Sequence, residues 1–237
     1  MRNEIMARSG LQPRGVYTFS RLGIRYDYSD KPGIRLPNVS GNYHYVLKQF
    51  FEFHGLGKEC LLVSDSKNVK RVMEIIHPEA SFTTTDLFPD LMGKDDFDRP
   101  DIVWDVCLVP DPDLFPKRFD SIICHALLEH IMAPATAIKN MFSLLKSSGW
   151  LYVLTHTPSF PLHRYPRDYL RIQHDYFEDL PGYLWKSFCI KIELMELYSH
   201  KGVVIVAYRK ITEEFNGSSQ NSREGIRIPS WLNEERR

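Results

Sequence analysis

No stretch of this sequence is apolar for the roughly 18–20 residues that a membrane-crossing helix needs. The opening MRNEIMARSGLQPRG lacks the apolar core of a secretory signal. Charge of one sign is not in excess: 30 Lys+Arg balance 30 Asp+Glu, for a formal net charge of zero. The chain therefore has no global positive field to draw it onto nucleic acid or an anionic membrane, and neither is expected as a partner. Cysteine is scarce. Cys60, Cys107, Cys124 and Cys189 stand far apart with no C-x-x-C pair, which argues against a disulfide framework and for reduced core thiols in a cytoplasmic setting. No internal repeat is visible, and nothing in the sequence sets an oligomeric state.

What is present fits one decorated domain. The 237 residues are 43% hydrophobic and 25% charged, ordinary values for a globular protein able to bury a core. Residues 1–57 read as an N-terminal arm followed by a cap helix, because Tyr43, Val46, Leu47 and Phe50 recur at helical spacing. From 58 to 211, strand-like and helix-like pieces alternate. Strands are expected at 60–63, 81–85, 102–104, 120–124, 150–154, 188–197 and 203–208, with helices at 68–76 and 134–146. Alternation of this kind predicts a mostly parallel seven-stranded α/β sheet with helices on both faces. The short link before the final strand makes that strand antiparallel. Residues 157–182 form a lid-like insertion. Residues 212–237 are polar and Gly/Ser-rich, a flexible tail.

In open α/β sheets, ligands collect beyond the carboxyl ends of the strands, so the residues just past each strand are the candidates. After the first strand come Ser64, Asp65 and Ser66, a turn without the glycines that let backbone approach a nucleotide closely. Asp86 ends the second strand about 22 residues past Ser64, near the spacing at which a carboxylate accepts ribose hydroxyls. Asp105 ends the third. The fourth runs into His125-Ala126-Leu127-Leu128-Glu129-His130, with roles open as cofactor lining, general base or metal ligand; no metal site is assigned. The fifth ends in His156-Thr157-Pro158, and the insertion behind it is dense in His, Arg and Tyr. There His163 and Asp168 are candidates for a base and its orienter. Arg164, Tyr169 and Arg171 are candidate substrate-binding residues, the guanidinium forks suiting an anionic group. A plainer reading makes Arg171–Asp168 a local ion pair in a loop pinned by Tyr165 and Tyr169.

The run Phe119-Asp120-Ser121-Ile122-Ile123-Cys124-His125-Ala126-Leu127-Leu128-Glu129-His130-Ile131, then Pro134, then Leu144-Leu145-Lys146-Ser147-Ser148-Gly149, resembles class I S-adenosylmethionine-dependent methyltransferases of the type-11-like branch. The downstream His163, Pro166, Asp168, Tyr169 and Arg171 are similar to an HxxPxDYxR-like element of that branch. The resemblance covers about 58–210 and is strongest over 119–171. It implies a Rossmann-like fold and S-adenosyl-L-methionine as cofactor. It places Asp86 at the ribose, Asp105 near the adenine, and His125 and Ala126 beside the methionine part. His130 and the 163–171 element would face the acceptor, a small molecule or glycan methylated at oxygen or nitrogen. Two positions depart from the pattern. Residues 63–68 replace the glycine-rich loop, and Ser147-Ser148 replaces Pro-Gly. The first departure motivates a second reading, a non-catalytic binding domain that has lost the cofactor.

Overall fold

The computed structural model describes residues 17–20, 43–65, 67–87, 99–164, 167–200 and 202–211. The readings made for Ser66, for most of the 1–57 arm and for the 212–237 tail fall outside them. Eight strands form one sheet: β1 (Tyr17–Ser20), β2 (Glu59–Val63), β3 (Ser81–Asp86), β4 (Ile102–Val103), β5 (Phe119–His125), β6 (Leu145–His156), β7 (Ile192–His200) and β8 (Val203–Lys210). Their spatial order is β1-β7-β8-β6-β5-β2-β3-β4. Helices α1 (Tyr43–His54), α2 (Lys67–Ile76), α3 (Pro134–Leu144) and α4 (His174–Phe188) cover the sheet, and Leu128–His130 makes a single 3-10 turn.

The seven expected strands are all there. Strands β4, β3, β2, β5 and β6 run parallel, while β8 is antiparallel to both β6 and β7. The fold is thus the Rossmann-like α/β arrangement with an antiparallel last strand. An eighth strand, β1, from the leading arm, pairs antiparallel with β7.

Period-two alternation divides the buried side chains between two faces. Leu61, Val63, Ile122, Cys124, Leu151, Val153, Val204 and Val206 point to one side and pack with Ala137, Ile138 and Met141 of α3 and Phe177, Leu180 and Leu184 of α4. Cys60, Leu62, Ile123, Tyr152, Leu154, Ile205 and Ala207 point to the other and pack with Leu47, Phe50 and Phe51 of α1 and Met73 of α2. Asp120 fixes the amino end of the central pair. One of its carboxylate oxygens accepts the backbone N–H groups of Lys58 (3.0 Å) and Glu59 (2.9 Å), and the other accepts Lys146 Nζ (2.8 Å).

Three local expectations are corrected. First, β6 begins at Leu145 rather than near Trp150. Its pairing with β5 slips between Phe119↔Leu145 and Ser121↔Trp150. Residues 146–149 form a bulge there, with Ser148 left-handed (φ 59). At Gly149 a Cβ would lie 3.0 Å from two backbone oxygens. The Ser-Ser-Gly segment therefore bends a strand instead of breaking a helix. Second, the stretch expected to be insertion as far as residue 182 holds the start of a core helix, since α4 occupies 174–188 and buries Phe177, Leu180 and Leu184. Third, the strand expected from residue 188 starts at Ile192, because Cys189 takes the left-handed conformation (φ 56) that ends α4.

Pro181 and Gly182 hide α4 from a periodicity reading, and the fold compensates for the proline directly. Pro181 lacks the N–H that would bond the carbonyl of Phe177, four residues earlier. That carbonyl accepts the buried Tyr208 hydroxyl instead (2.6 Å), tying α4 to β8. Tyr208→Phe should therefore destabilise the chain by about 1–3 kcal/mol in urea titrations, the range for orphaning a buried carbonyl. Adding Pro181→Ala to that variant should recover part of the loss, because the restored helix N–H supplies the missing donor.

Candidate functional site

The register levels the carboxyl ends of the parallel strands. Val63 pairs with both Thr85 and Cys124, and Cys124 pairs with Val153. Ser64, Asp86, His125 and His156 therefore emerge along one edge. The chain runs from β2 outward to β3 and β4 and returns to β5 on the opposite side of β2. The resulting switch in strand order is where open α/β sheets leave a crevice.

One half of this edge is acidic. The Ser64 hydroxyl lies 3.3 Å from Asp86 Oδ2, joining the ends of β2 and β3. Asp65 is buried, and its carboxylate is 3.8 Å from His125 Nδ1. Burial, reinforced by the negative charge of Asp86, pushes the Asp65 carboxyl up to about 7. Burial also lowers His125 to about 4, so its ring is neutral at pH 7. Two backbone positions on this edge are unusual. Ser64 (φ 64) and Ala126 (φ 49) both occupy the left-handed region, where a non-glycine residue is strained by roughly 1–2 kcal/mol. At Ser64 the backbone thus keeps the conformation that a glycine-rich turn would supply, with a serine in its place. Asp105 is drawn into its own turn, since its Oδ1 accepts the Cys107 N–H at 2.9 Å.

The other half is built around Glu129. Its side chain is fully buried and its Oε2 accepts the Thr155 hydroxyl at 2.5 Å. Its backbone carbonyl accepts the N–H groups of Tyr169 (2.8 Å) and Leu170 (3.1 Å), which pins the 157–173 segment to the end of β5. Burial alone would raise the Glu129 carboxyl, but the contacts with His156 and Thr155 outweigh it and hold the group below its ordinary range. It is an anion. Around its Oε1 stand His156 Nδ1 at 2.6 Å, His163 Nε2 at 3.7 Å and His130 Nε2 at 3.9 Å. His163 Nε2 is in turn 2.9 Å from His156 Nδ1. His156 stacks on Phe160 (centroids 3.6 Å apart) and so has little freedom to turn.

The residues singled out in the sequence thus fall into two groups on one edge. Ser64, Asp65, Asp86, His125 and Ala126 line the acidic half, and His130 and His163 meet at the second. Asp168 does not orient the His163 ring. Its carboxylate accepts the His163 backbone N–H (2.8 Å) and ion-pairs with both terminal nitrogens of Arg171. That pairing keeps Asp168 well below the usual carboxylate range. Arg171 is correspondingly saturated, since it also donates to the carbonyls of Phe160, Pro161 and Leu170. Through these contacts it holds the segment's shape. Arg164, Arg167, Asp168 and Tyr169 line a cavity of about 420 Å³ beside the cluster. The sequence reading undervalued His156 and Glu129. Their signal was positional, a His at the last residue of β6 level with an acid just past β5.

Residues 49–200 match a family described as a methyltransferase domain. The ubiquinone biosynthesis O-methyltransferase of Nitrosomonas europaea is 36% identical over 55 residues, which are 23% of this chain and 21% of that protein. The match therefore spans about a fifth of that relative's length. Among solved structures, the plantazolicin methyltransferase BpumL, in complex with a monoazolic desmethylPZN analog and SAH, superposes with a TM-score of 0.50 at 11% identity, over 70% of this chain and 80% of that one. A SAM-dependent methyltransferase from Archaeoglobus fulgidus gives a TM-score of 0.49 at 12% identity, over 70% and 91%. At such identities the likeness is one of fold. Among the described residues, no helix is long and apolar enough to cross a membrane.

The raised Asp65 pKa has a definite sign in stability. The fold favours the protonated acid, so the folded chain binds more protons than the unfolded one between the ordinary value of 3.8 and about 7. The stability that the protonated acid contributes is fully present below that window and is lost progressively as pH rises through it. Asp65→Asn should therefore stabilise the chain at pH 8 by up to about 4 kcal/mol. The gain should shrink toward zero near pH 4, as read from urea denaturation midpoints at the two pH values.

Proposed function

The chain belongs to the methyltransferase domain family, and on that premise we propose that it transfers a methyl group from S-adenosyl-L-methionine to an oxygen or nitrogen of a small metabolite or glycan. The observation that carries this reading is the division of one sheet edge into an acidic half at β2 and β3 and a histidine-rich half at β5 and β6. When bound, the cofactor supplies an electrophilic methyl on a sulfonium, which leaves as a neutral thioether.

The acidic half suits that cofactor chemically. Asp65 and Asp86 are close enough for the charge of one to raise the pKa of the other, and a ligand carrying a sulfonium and an ammonium relieves that repulsion. Asp86 places a carboxylate at the end of β3, beside the Ser64 hydroxyl, and a carboxylate is the group that accepts from a ribose diol. His125, held neutral, adds no competing positive charge. Ser64 adopts the left-handed backbone conformation that glycine takes most readily.

The histidine-rich half suits the acceptor. Methyl transfer depends chiefly on alignment, and Tyr169 and Leu170 are bonded to the Glu129 carbonyl, and Phe160 and Pro161 to Arg171, beside the cavity lined by Arg164, Arg167 and Tyr169. A hydroxyl acceptor must shed a proton, and His163, the most open ring of the cluster with its side chain 34% exposed, stands nearest solvent. His130 faces it edge-on, with ring centroids 4.8 Å apart.

Calorimetry with S-adenosylhomocysteine tests the first half of this reading. Micromolar affinity is expected, falling at least about tenfold, or roughly 1.4 kcal/mol, in Asp86→Ala. A folded chain that ignores millimolar ligand would instead be the non-catalytic binding domain that the glycine-free turn suggests. For the second half, His163→Ala should lower kcat by about 10²–10⁴ with cofactor affinity unchanged.

A further inference from the structure

The cavity of about 420 Å³ beside the histidine cluster is lined by Arg164, Arg167, Asp168 and Tyr169. The one acid among these four is already balanced. Asp168 accepts the His163 N–H and ion-pairs with both terminal nitrogens of Arg171. The guanidinium groups of Arg164 and Arg167 are not balanced in this way. Both residues are exposed, and among the described residues neither side chain meets a carboxylate. Two positive charges therefore line this space uncancelled.

The backbone brings the two arginines together. The bond from the His163 N–H to Asp168 (2.8 Å) closes the ends of the stretch 163–168. Arg164 and Arg167 each stand one residue inside an end, and both reach the same cavity. His130 Nδ1 bonds the Arg167 carbonyl, and the His130 ring lies 4.8 Å from that of His163. The cationic wall is thereby tied to the ring that stands as the base. Tyr169 adds an aromatic ring and a hydroxyl to the lining.

We propose that the methyl acceptor is a small anion: a hydroxyl-bearing carboxylate or phosphate ester, its charged group held by Arg164 and Arg167 and its hydroxyl turned toward His163. The proposal rests on the methyl-transfer reading and narrows it, setting uncharged metabolites and neutral glycans aside. Guanidinium forks present paired N–H donors that match both carboxylate and phosphate. A volume of about 420 Å³ falls within the range of small-molecule pockets. Charge also sorts the two ligands. Asp65 and Asp86 favour the sulfonium and ammonium of the donor, whereas the arginines repel them, and an anionic acceptor experiences the reverse at each half. Neither ligand is then drawn into the other's half of the edge.

The test uses the full chain and does not need the natural acceptor. Phenylglyoxal modification of arginines is followed by peptide mass spectrometry in the presence of inorganic phosphate, 3-hydroxybenzoate or the uncharged 3-hydroxybenzamide. Ionic strength is held constant, because exposed charges are screened by salt. Phosphate or hydroxybenzoate should slow modification of Arg164 and Arg167 several-fold, and hydroxybenzamide should not. The anion that protects at the lower concentration tells a phosphate ester from a carboxylate. Arg118, exposed just before β5 at the opposite edge of the sheet, should react alike in every case. By calorimetry, Arg164→Gln and Arg167→Gln should each weaken binding of the protecting anion about tenfold, and Arg118→Gln should not. Circular dichroism and affinity for S-adenosylhomocysteine should be unchanged in all three variants. The proposal fails if neither anion protects the pair, if the amide protects it as well as the acid, or if Arg118 is protected equally. It also fails if both cavity variants bind the anion as tightly as the parent chain. A chain that gives any of these results and still binds S-adenosylhomocysteine keeps the methyl-transfer reading and loses the anionic acceptor. A folded chain that ignores S-adenosylhomocysteine loses both.

Discussion

Glu129 is a carboxylate with no exposed surface, and much of the active edge is organised by satisfying it. An anion placed there needs polar or positively charged company, and the groups around it come from three parts of the chain. Thr155 and His156 arrive from the end of β6, His130 from the adjoining turn, and His163 from the segment that follows β6. The backbone carbonyl of the same residue takes the Tyr169 and Leu170 N–H groups. One residue thus sets both the polarity of the pocket and the path of the segment that walls it. The parallel register supplies the other condition, since His125 and Leu154 pair across β5 and β6 and bring the two strand ends level.

The two halves of the edge use opposite physical means. Around β2 and β3, carboxylates crowd each other and a neutral histidine stands by, which makes a field suited to a cation. Around β5 and β6, one carboxylate is ringed by imidazoles. Between them, Ser64 and Ala126 take the left-handed conformation just past the ends of β2 and β5. Strain of this kind persists only where surrounding contacts over-determine it. At Ala126 the N–H bond to the Leu154 carbonyl (2.8 Å) is one such contact.

Much of this was legible in the sequence because it follows from local pattern. Alternating apolar runs and polar turns gave the parallel sheet, and counting residues past each strand found Asp86, His125, Glu129 and His130. What was missed depends on contacts between distant residues. Helix α4 carries Pro181 and Gly182 in its middle, which read as a break; Tyr208, 27 residues later in the chain, makes the proline tolerable by taking over the carbonyl it leaves free. The start of β6 was misplaced because Ser148 and Gly149 look like a helix terminus until the pairing with β5 reveals a bulge. Asp168 and His163 were paired by proximity in sequence, and they do meet, but through a backbone N–H. The ring's electrostatic neighbours lie on other elements, and no spacing rule connects them.

Strand β1 has a consequence of a different sort. The sheet would otherwise terminate in β7, nine residues long, with a full row of unpaired N–H and C=O groups on its outer side. At the opposite border the problem is small, since β4 has only two residues. The four residues of β1 lie along Glu196–Ser199 of β7 and occupy part of that row with a segment of the same chain. The leading segment therefore works as a molecular selvedge: along Glu196–Ser199 a strand of the same chain, and not of a second one, extends the sheet.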